Sequence, residues 1–273
     1  MTYKNIIDKH HHKLQNITNI SRKEVEILIS YILQKDITYI HKNYDKFCIC
    51  QEKIIELIHK RATAYPIEYI TNIASFYSEQ FFVQEGVLIP RPETELLIDE
   101  AITTLQNISN PKVLEIGCGS GVVSIVLAKK VKNISITATD ISDTAIKTTK
   151  INITKHKQTK NIKVLKSNLF ENVPQQKFDM VISNPPYIKN DIKLHKSLSF
   201  EPNIALYGGK KGDELLKKII KEFFLLDVRY LVCEIGHDQK DELRRYFKNF
   251  SIKYLKFYKD YAHFDRGFVL ERL

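Results

Sequence analysis

The spacing of hydrophobic residues divides the chain near residue 75. Before that point apolar residues recur every three or four positions, as on one face of a helix. They include Val25, Leu28, Ile29, Ile32, Leu33, Ile54, Ile55, Ile58 and Ala62. Ser21 and Glu24 have the spacing of a capping box, which predicts a helix start. We therefore predict a small helical-bundle domain over residues 1–74.

Residues 75–90 form an aromatic, β-prone segment that joins this bundle to the rest of the chain. Its sequence, SFYSEQFFVQEGVLIP, contains Glu85-Gly86 as a turn signal. This pattern predicts a β-hairpin. The following apolar face, with Leu97 and Ala101, predicts a helix that begins near Pro92.

From residue 91 onward short apolar runs alternate with helical patterns, which is typical of an α/β domain. We predict strands at 112–116, 134–139, 162–167, 178–183, 229–235, 251–258 and 266–272. We expect helices between the first six strands and an antiparallel hairpin at the end. This order looks like the seven-stranded class I methyltransferase fold, which is Rossmann-like, and we assign it to residues 91–273.

A glycine-rich turn follows the first of these strands. It consists of Gly117, Cys118, Gly119, Ser120 and Gly121. Such a turn before a helix N-terminus indicates a nucleotide-type site. A dinucleotide fingerprint fails, because Val122 and Ser124 stand where its third glycine would be required. Glu115 suits the cationic amino-acid end of a cofactor, since a carboxylate would repel a pyrophosphate.

The next two strands also end in polar residues. Asp140 has the separation from the glycine turn expected of the acid that accepts from ribose hydroxyls. Ile141 is expected beside it in the cofactor site, and Ser142 is available to cap the next helix. Asn168 and Leu169 are predicted to receive the edge and the face of an adenine. These elements match S-adenosylmethionine, with S-adenosylhomocysteine as product.

The strand at 178–183 ends in Asn184-Pro185-Pro186-Tyr187. The two prolines cannot donate to a sheet, so this loop is stiff and follows a strand end, where α/β sheets bind ligands. We predict all four residues to bind substrate, and Asn184 also to border the cofactor. The Asn184 side-chain oxygen and the Pro185 carbonyl can accept both hydrogens of a planar N–H₂ group, on which Tyr187 would stack. These three are the predicted catalytic residues; adenine N6 and a glutamine amide both present this chemistry.

The segment Pro90-Arg91-Pro92-Glu93-Thr94-Glu95 has two interpretations. Its acidic residues favour the N-terminal dipole of the next helix. Alternatively, Arg91, Glu93 and Thr94 form a wall of the active site.

Composition adds limits. The net charge of +10 indicates either an anionic partner or a solvated lysine surface. No stretch approaches the roughly 20 apolar residues of a membrane span, and the N-terminus is too polar for a signal peptide. The cysteines lack zinc spacing, and no second ligand cluster accompanies His10, His11 and His12, so we predict no metal. We expect a cytoplasmic protein without membrane association.

From about Tyr65 to its end, the chain resembles the release factor glutamine N5-methyltransferases, the PrmC/HemK family. The resemblance rests on YPIEYI, FFVQEGVLIPRPETE, VLEIGCGSG, SNLF, FDMVISNPPYI, FEPNIALYGG and CEIG. It implies methylation of the glutamine in the GGQ motif of class 1 peptide-chain release factors. It also implies a hinged helical domain that helps to hold the factor, and Asn184 to Tyr187 as the glutamine site.

The chain departs from the family pattern at the predicted adenine pocket. The family often has an acid where this chain has Asn168, and a larger aromatic residue where it has Leu169. The alternative function is an adenine-N6 methyltransferase acting on RNA or DNA, which the positive charge favours. Against it, no target-recognition module is evident and the joint segment matches the glutamine family, so we expect no stable nucleic-acid binding. We also expect a monomer.

Overall fold

Two structural units divide the chain in a computed structural model that describes residues 1–273. The first unit comprises Met1–Ile73 together with His195–Phe200. The second comprises Ala74–Leu194 and Glu201–Leu273. Neither unit contains a helix with the length and apolar character needed to cross a membrane.

Short helices build the first unit around an aliphatic core. They are α1 (Tyr3–His10), α2 (Ser21–Leu33), α3 (Ile37–Lys42), α4 (Gln51–Ala62) and α5 (Ile67–Thr71), with 3₁₀ turns at His11–Leu14 and Lys196–Phe200. Val25, Leu28 and Ile29 of α2 are fully buried, as are Ile54 and Ile58 of α4. The predicted apolar stripes therefore form the core of this unit.

The predicted capping box at the start of α2 is wrong. The Ser21 side chain makes no capping bond, and the helix begins at Ser21 itself. Glu24 instead forms a buried ion pair with Arg61 of α4, with an Nε–Oε2 distance of 2.7 Å. A non-local partner of opposite charge thus replaces the local backbone contact that the spacing favoured.

The second unit is built on a seven-stranded sheet. In chain order, its strands are β3 (Lys112–Ile116), β4 (Ser135–Asp140), β5 (Ile162–Lys166), β6 (Phe178–Ser183), β9 (Val228–Glu234), β10 (Ile252–Lys259) and β11 (Asp265–Arg272). They lie in the sheet in the order β10-β11-β9-β6-β3-β4-β5. The first five in chain order are parallel. The last strand runs antiparallel to both of its neighbours, which confirms the predicted terminal hairpin.

Helices cover both faces of this sheet, as parallel strands require. They are α6 (Thr94–Leu105), α7 (Val122–Lys130), α8 (Asp143–Lys155), α10 (Glu214–Leu225) and α11 (Lys240–Tyr246), while the short α9 (Asn203–Leu206) lies in the connection after β6. Leu97 and Ile125 contribute to the core on one face, whereas Ile219 and Leu243 contribute to the core on the other. The predicted class I methyltransferase fold is confirmed.

Two local predictions in this unit are wrong. The hairpin at the joint consists of β1 (Ile73–Phe76) and β2 (Glu79–Phe82), and its turn is Tyr77-Ser78 rather than Glu85-Gly86. Both turn residues have positive φ, 52° and 60°, which is uncommon for side chains of these types. No helix lies between β5 and β6, because residues 167–177 run through turns.

A small parallel sheet orders the long connection after β6. It pairs β7 (Ile188–Lys189) with β8 (Tyr207–Gly209). At Gly208 an added Cβ would lie 2.4 Å from the Pro186 carbonyl oxygen. Only glycine permits this approach. It holds β8 against the loop Asn184-Pro185-Pro186-Tyr187, called the proline loop below.

Replacing Arg61 with Met is expected to destabilise the helical unit strongly. The change leaves Glu24 buried without its partner, which costs about 3–5 kcal/mol. Arg22→Met is the matched control, because Arg22 pairs with Asp8 at an exposed position, where a pair contributes about 0–1 kcal/mol. Urea unfolding followed by circular dichroism compares the two; equal losses would contradict the importance of the buried pair.

Candidate active site

Four neighbouring parallel strands end at one cleft with a volume of about 180 Å³. In the ladder, Ile116 of β3 is paired with Thr139 of β4 and with Ser183 of β6. The residues that follow each strand therefore meet at one edge of the sheet. The cleft is lined by Gly117 and Gly119, Asp140 and Ile141, Asn168 and Leu169, and Asn184, Pro185 and Pro186.

The glycine turn after β3 is fixed by backbone and side-chain contacts from its neighbours. The amides of Gly117 and Cys118 donate to the Thr139 carbonyl at 2.8 and 2.9 Å. Thr149 of α8 donates to the Gly119 carbonyl at 2.9 Å. Gly121 has φ of 83°, and an added Cβ would lie 2.8 Å from a Thr149 methyl group. The turn is thus held before any ligand arrives.

Gly117 and Gly119 leave open space on the side of the turn that faces the cleft. Both have positive φ, 76° and 55°, and a Cβ at either position would meet no atom within 4 Å. A ligand can therefore approach the backbone closely at this point. This space fits the S-adenosylmethionine predicted from the sequence.

Asp140, at the end of β4, is positioned by two backbone amides. Its Oδ2 accepts from Gly119 N and its Oδ1 from Ser142 N, both at 2.9 Å. Burial raises the pKa of this carboxyl, while the backbone hydrogen bonds from Ser142 and Gly119 oppose the rise. Ser142 caps α8 with its own hydroxyl by accepting from Ala145 N. Asp140 is therefore not needed to cap the helix, and its carboxylate has lone pairs available for ribose hydroxyls.

The loop after β5 provides a polar and an apolar residue to the same cleft. The Ser167 hydroxyl donates to the Leu169 carbonyl at 2.9 Å, which stabilises a loop in which Leu169 has φ of 49°. Asn168 is exposed and donates to Glu171 at 2.7 Å. The adenine pocket predicted from these residues stays a prediction, but both line the cleft.

The proline loop after β6 is held from outside the cleft by a chain of hydrogen bonds. Asn184 Nδ2 donates to Thr94 Oγ1 at 2.9 Å. Thr94 Oγ1 in turn donates to Glu234 Oε2 at 2.8 Å. The Tyr187 hydroxyl donates to Glu234 Oε1 at 3.2 Å. With its amino group engaged, Asn184 presents the carbonyl oxygen Oδ1 to the cleft that it lines.

Glu234, the last residue of β9, joins these side chains. It is 1% exposed. Burial raises the pKa of its carboxyl to about 7, although the hydrogen bonds from Thr94 and Tyr187 favour the ionised form. Sequence reasoning missed this residue; the available signal was an acidic side chain at the end of a strand that points to the same sheet edge.

Tyr187 lies beside the cleft and does not line it. Its hydroxyl is engaged by Glu234, and its pKa is raised, first by burial and then by the Glu234 charge. The stacking on substrate predicted for this ring stays a prediction. The structure shows the hydroxyl contact, which sequence reasoning did not anticipate.

The three wall candidates separate into different roles. Thr94 contacts Asn184 directly. Arg91 forms an ion pair with Glu201, which also accepts from Ile89 N at 2.9 Å; neither Arg91 nor Glu93 lines the cleft. Arg91 holds the start of the loop that supplies Pro202, Ile204 and Ala205 to the cleft wall. The ligand-facing role of Arg91 and Glu93 stays a prediction.

The cofactor-binding role of Glu115 stays a prediction. Its carboxylate is buried beneath the glycine turn, does not line the cleft, and accepts from the Ser124 hydroxyl of α7. Burial raises the pKa of Glu115 to about 8, while the hydrogen bonds from Ser124 oppose the rise. Cys118, Ser120 and Gly121 likewise form the inner side of the turn rather than the cleft lining.

This cleft, on a seven-stranded sheet of this order, is that of a class I methyltransferase, the class that uses S-adenosylmethionine. Residues 93–199 match the family model of the methyltransferase small domain. The chain is 34% identical to a release factor glutamine methyltransferase of Buchnera aphidicola over 93% of each chain. It is 34% identical to one of Clostridium botulinum over 89% of each. The chain belongs to the release factor glutamine methyltransferase family, as the sequence motifs predicted.

Longer relatives and solved structures complete the comparison. A bifunctional methyltransferase of Rickettsia typhi is 34% identical over 96% of this chain. The chain spans 56% of that relative's length, about half. The hMettl16 catalytic domain, solved in complex with a MAT2A 3′UTR hairpin, superposes with a TM-score of 0.58 and 17% identity, over 70% of this chain and 74% of that one. At this identity the likeness concerns the fold alone.

Replacing Asp140 with Ala is expected to weaken cofactor binding at least tenfold. Hydrogen bonds to a charged group contribute about 1.5–3 kcal/mol each, and the ribose would lose them. Asp143→Ala is the matched control, since Asp143 is exposed and pairs with Lys166. Calorimetric titration with S-adenosylhomocysteine measures both variants. An affinity unchanged in Asp140→Ala would remove the ribose assignment.

Proposed function

We propose that the chain transfers a methyl group from S-adenosylmethionine to the side-chain amide nitrogen of the glutamine in the GGQ motif of class 1 release factors. The observation that carries this is the orientation of Asn184. Its amino group is bound by Thr94, so its carbonyl oxygen faces the cleft next to Pro185. Relatives named release factor glutamine methyltransferase, matched along nine-tenths of both chains, support this substrate.

Two acceptors on one stiff loop suit a primary amide. The Asn184 Oδ1 and the Pro185 carbonyl oxygen each take one of the two N–H hydrogens, and this fixes the plane and the direction of the nitrogen. Neither acceptor is charged, so neither takes a proton from the amide before it reacts. The two prolines keep the acceptors in place because their backbone has little freedom.

The amide nitrogen is a weak nucleophile, because its lone pair is delocalised into the carbonyl group. Bound S-adenosylmethionine would supply an electrophilic methyl group, with S-adenosylhomocysteine as the second product. As the nitrogen gains the methyl group it becomes positive, and the two oxygens of the loop stabilise that charge. The nitrogen then loses one of its hydrogens to solvent, which restores the neutral amide.

Asp140, the open face of the glycine turn, and the Asn168–Leu169 loop would hold the cofactor along the sheet edge. Asn184 lines the same cleft, so we expect it to border both the cofactor and the substrate glutamine. We assign release factor docking to the helical unit, residues 1–74, with 75–90 as the joint and 91–273 as the methyltransferase domain. We also propose that the protein is a monomer, and its substrate would place it in the cytoplasm.

The substrate assignment is tested by radiolabelled methyl transfer. The purified protein is incubated with labelled S-adenosylmethionine and either a release factor, the same factor with its GGQ glutamine replaced, or mixed cellular nucleic acid. We expect label in the intact factor only. Label in nucleic acid alone would refute the glutamine assignment.

Replacing Asn184 with Ala is expected to lower methyl transfer at least a hundredfold, the scale for loss of one preorganised group at the reacting atoms. Cofactor affinity should change little, because Asp140 and the glycine turn remain. Asn190→Ala is the matched control, since Asn190 is exposed on the same connection. Single-turnover rates and calorimetry are compared; an equal loss of rate and cofactor binding would assign Asn184 a structural role.

A further inference from the structure

The hydrogen bonds behind Asn184 have a direction that depends on one proton. Thr94 is 3% exposed and lies between Asn184 and Glu234. Its hydroxyl has one hydrogen to donate. An ionised Glu234 can only accept, so the Thr94 hydrogen points to Glu234, and its oxygen can only accept from the Asn184 amino group.

A proton on Glu234 Oε2 permits the opposite direction. The carboxylic acid then donates to Thr94, and the Thr94 hydroxyl donates to Asn184. This bond requires the Asn184 carbonyl oxygen on the Thr94 side, so the amide turns over and its amino group faces the cleft. An amino group cannot accept a hydrogen bond from the substrate N–H₂ group.

We infer that Glu234 is a positioning residue whose protonation state, relayed by Thr94, sets which end of the Asn184 amide faces the substrate. This inference rests on the proposed function for its consequence in catalysis. The relay itself is a property of three side chains of this chain. In this inference Thr94, which lies in the segment Pro90–Glu95, connects Glu234 with Asn184.

Groups on several elements face Glu234 and set the balance between its two forms. Tyr187 donates to it, and Arg266 of β11 favours its charge, although Arg266 Nε and Nη2 themselves donate to Asp260. Glu93, next to α6, opposes the charge. The buried Tyr258 of β10 also lies within electrostatic range, and its hydroxyl has no hydrogen-bond partner.

The balance falls in a range that solution pH can reach. Burial is the main cause that raises the pKa of Glu234, to about 7. The ionised form holds Asn184 in the accepting orientation and dominates above this pH, and it is lost as the pH falls. The rate of methyl transfer, kcat, is therefore expected to fall about tenfold between pH 8 and pH 6.

The first experiment observes the amide without substrate or cofactor. The protein is labelled with ¹⁵N-asparagine, and the Asn184 side-chain signals are identified by their loss in Asn184→Ala. We expect these signals to shift with a midpoint near the pKa of Glu234 in the unmodified protein and in Thr94→Ser, which keeps the hydroxyl. Glu234→Gln and Thr94→Val should remove the shift. Glutamine has no titratable proton, and valine has no hydroxyl group to connect residue 234 with Asn184.

The second experiment measures kcat against pH with the same release factor for all variants. The fall in kcat at low pH should persist in Thr94→Ser. It should be absent in Glu234→Gln, whatever the absolute rate of that variant. The inference would be overturned if kcat of Glu234→Gln still fell at low pH, or if the Asn184 signal shifted with pH in Thr94→Val as it does in the unmodified protein. Failure of the unmodified protein to methylate the factor would instead refute the proposed substrate and leave the titration of the amide as a separate result.

Discussion

The parallel pairing of β3 with both β4 and β6 is the constraint on which the rest of the site depends. Ile116 is in register with Thr139 on one side and Ser183 on the other. A slip of one residue would turn every side chain of a strand to the opposite face, and both faces are buried here. The register therefore places the glycine turn, Asp140 and Asn184 at one edge, although they come from distant parts of the chain.

The second constraint is the burial of Glu234 at that edge. A buried carboxylate must have hydrogen-bond donors, and it obtains them from Thr94, 140 residues away in sequence, and from Tyr187. These bonds connect the start of α6 with the proline loop. A group that is costly to bury thus helps to position a loop that lines the cleft, and burial raises its pKa to about 7.

The fold and the charge of the chain do not choose its substrate. The same fold occurs in the hMettl16 catalytic domain, solved in complex with a MAT2A 3′UTR hairpin, and a planar amino group belongs to adenine as well as to glutamine. The net charge of +10 favours anionic partners only in general terms. The family relationship supports the glutamine proposal, because it extends over both units and beyond the loop that the two chemistries share.

The sequence by itself determined the strands, the glycine turn and the proline loop. The strand at 178–183 has its predicted bounds, and Asp140 stands at the end of a strand as expected, because apolar runs, glycines and prolines act on the backbone nearby. The tertiary structure alone decided the partners of polar side chains. Glu115 accepts a hydrogen bond from Ser124, Glu24 pairs with Arg61 instead of capping its helix, and Thr94 donates to Glu234. Such partners depend on which distant elements pack together, and no local pattern contains that information.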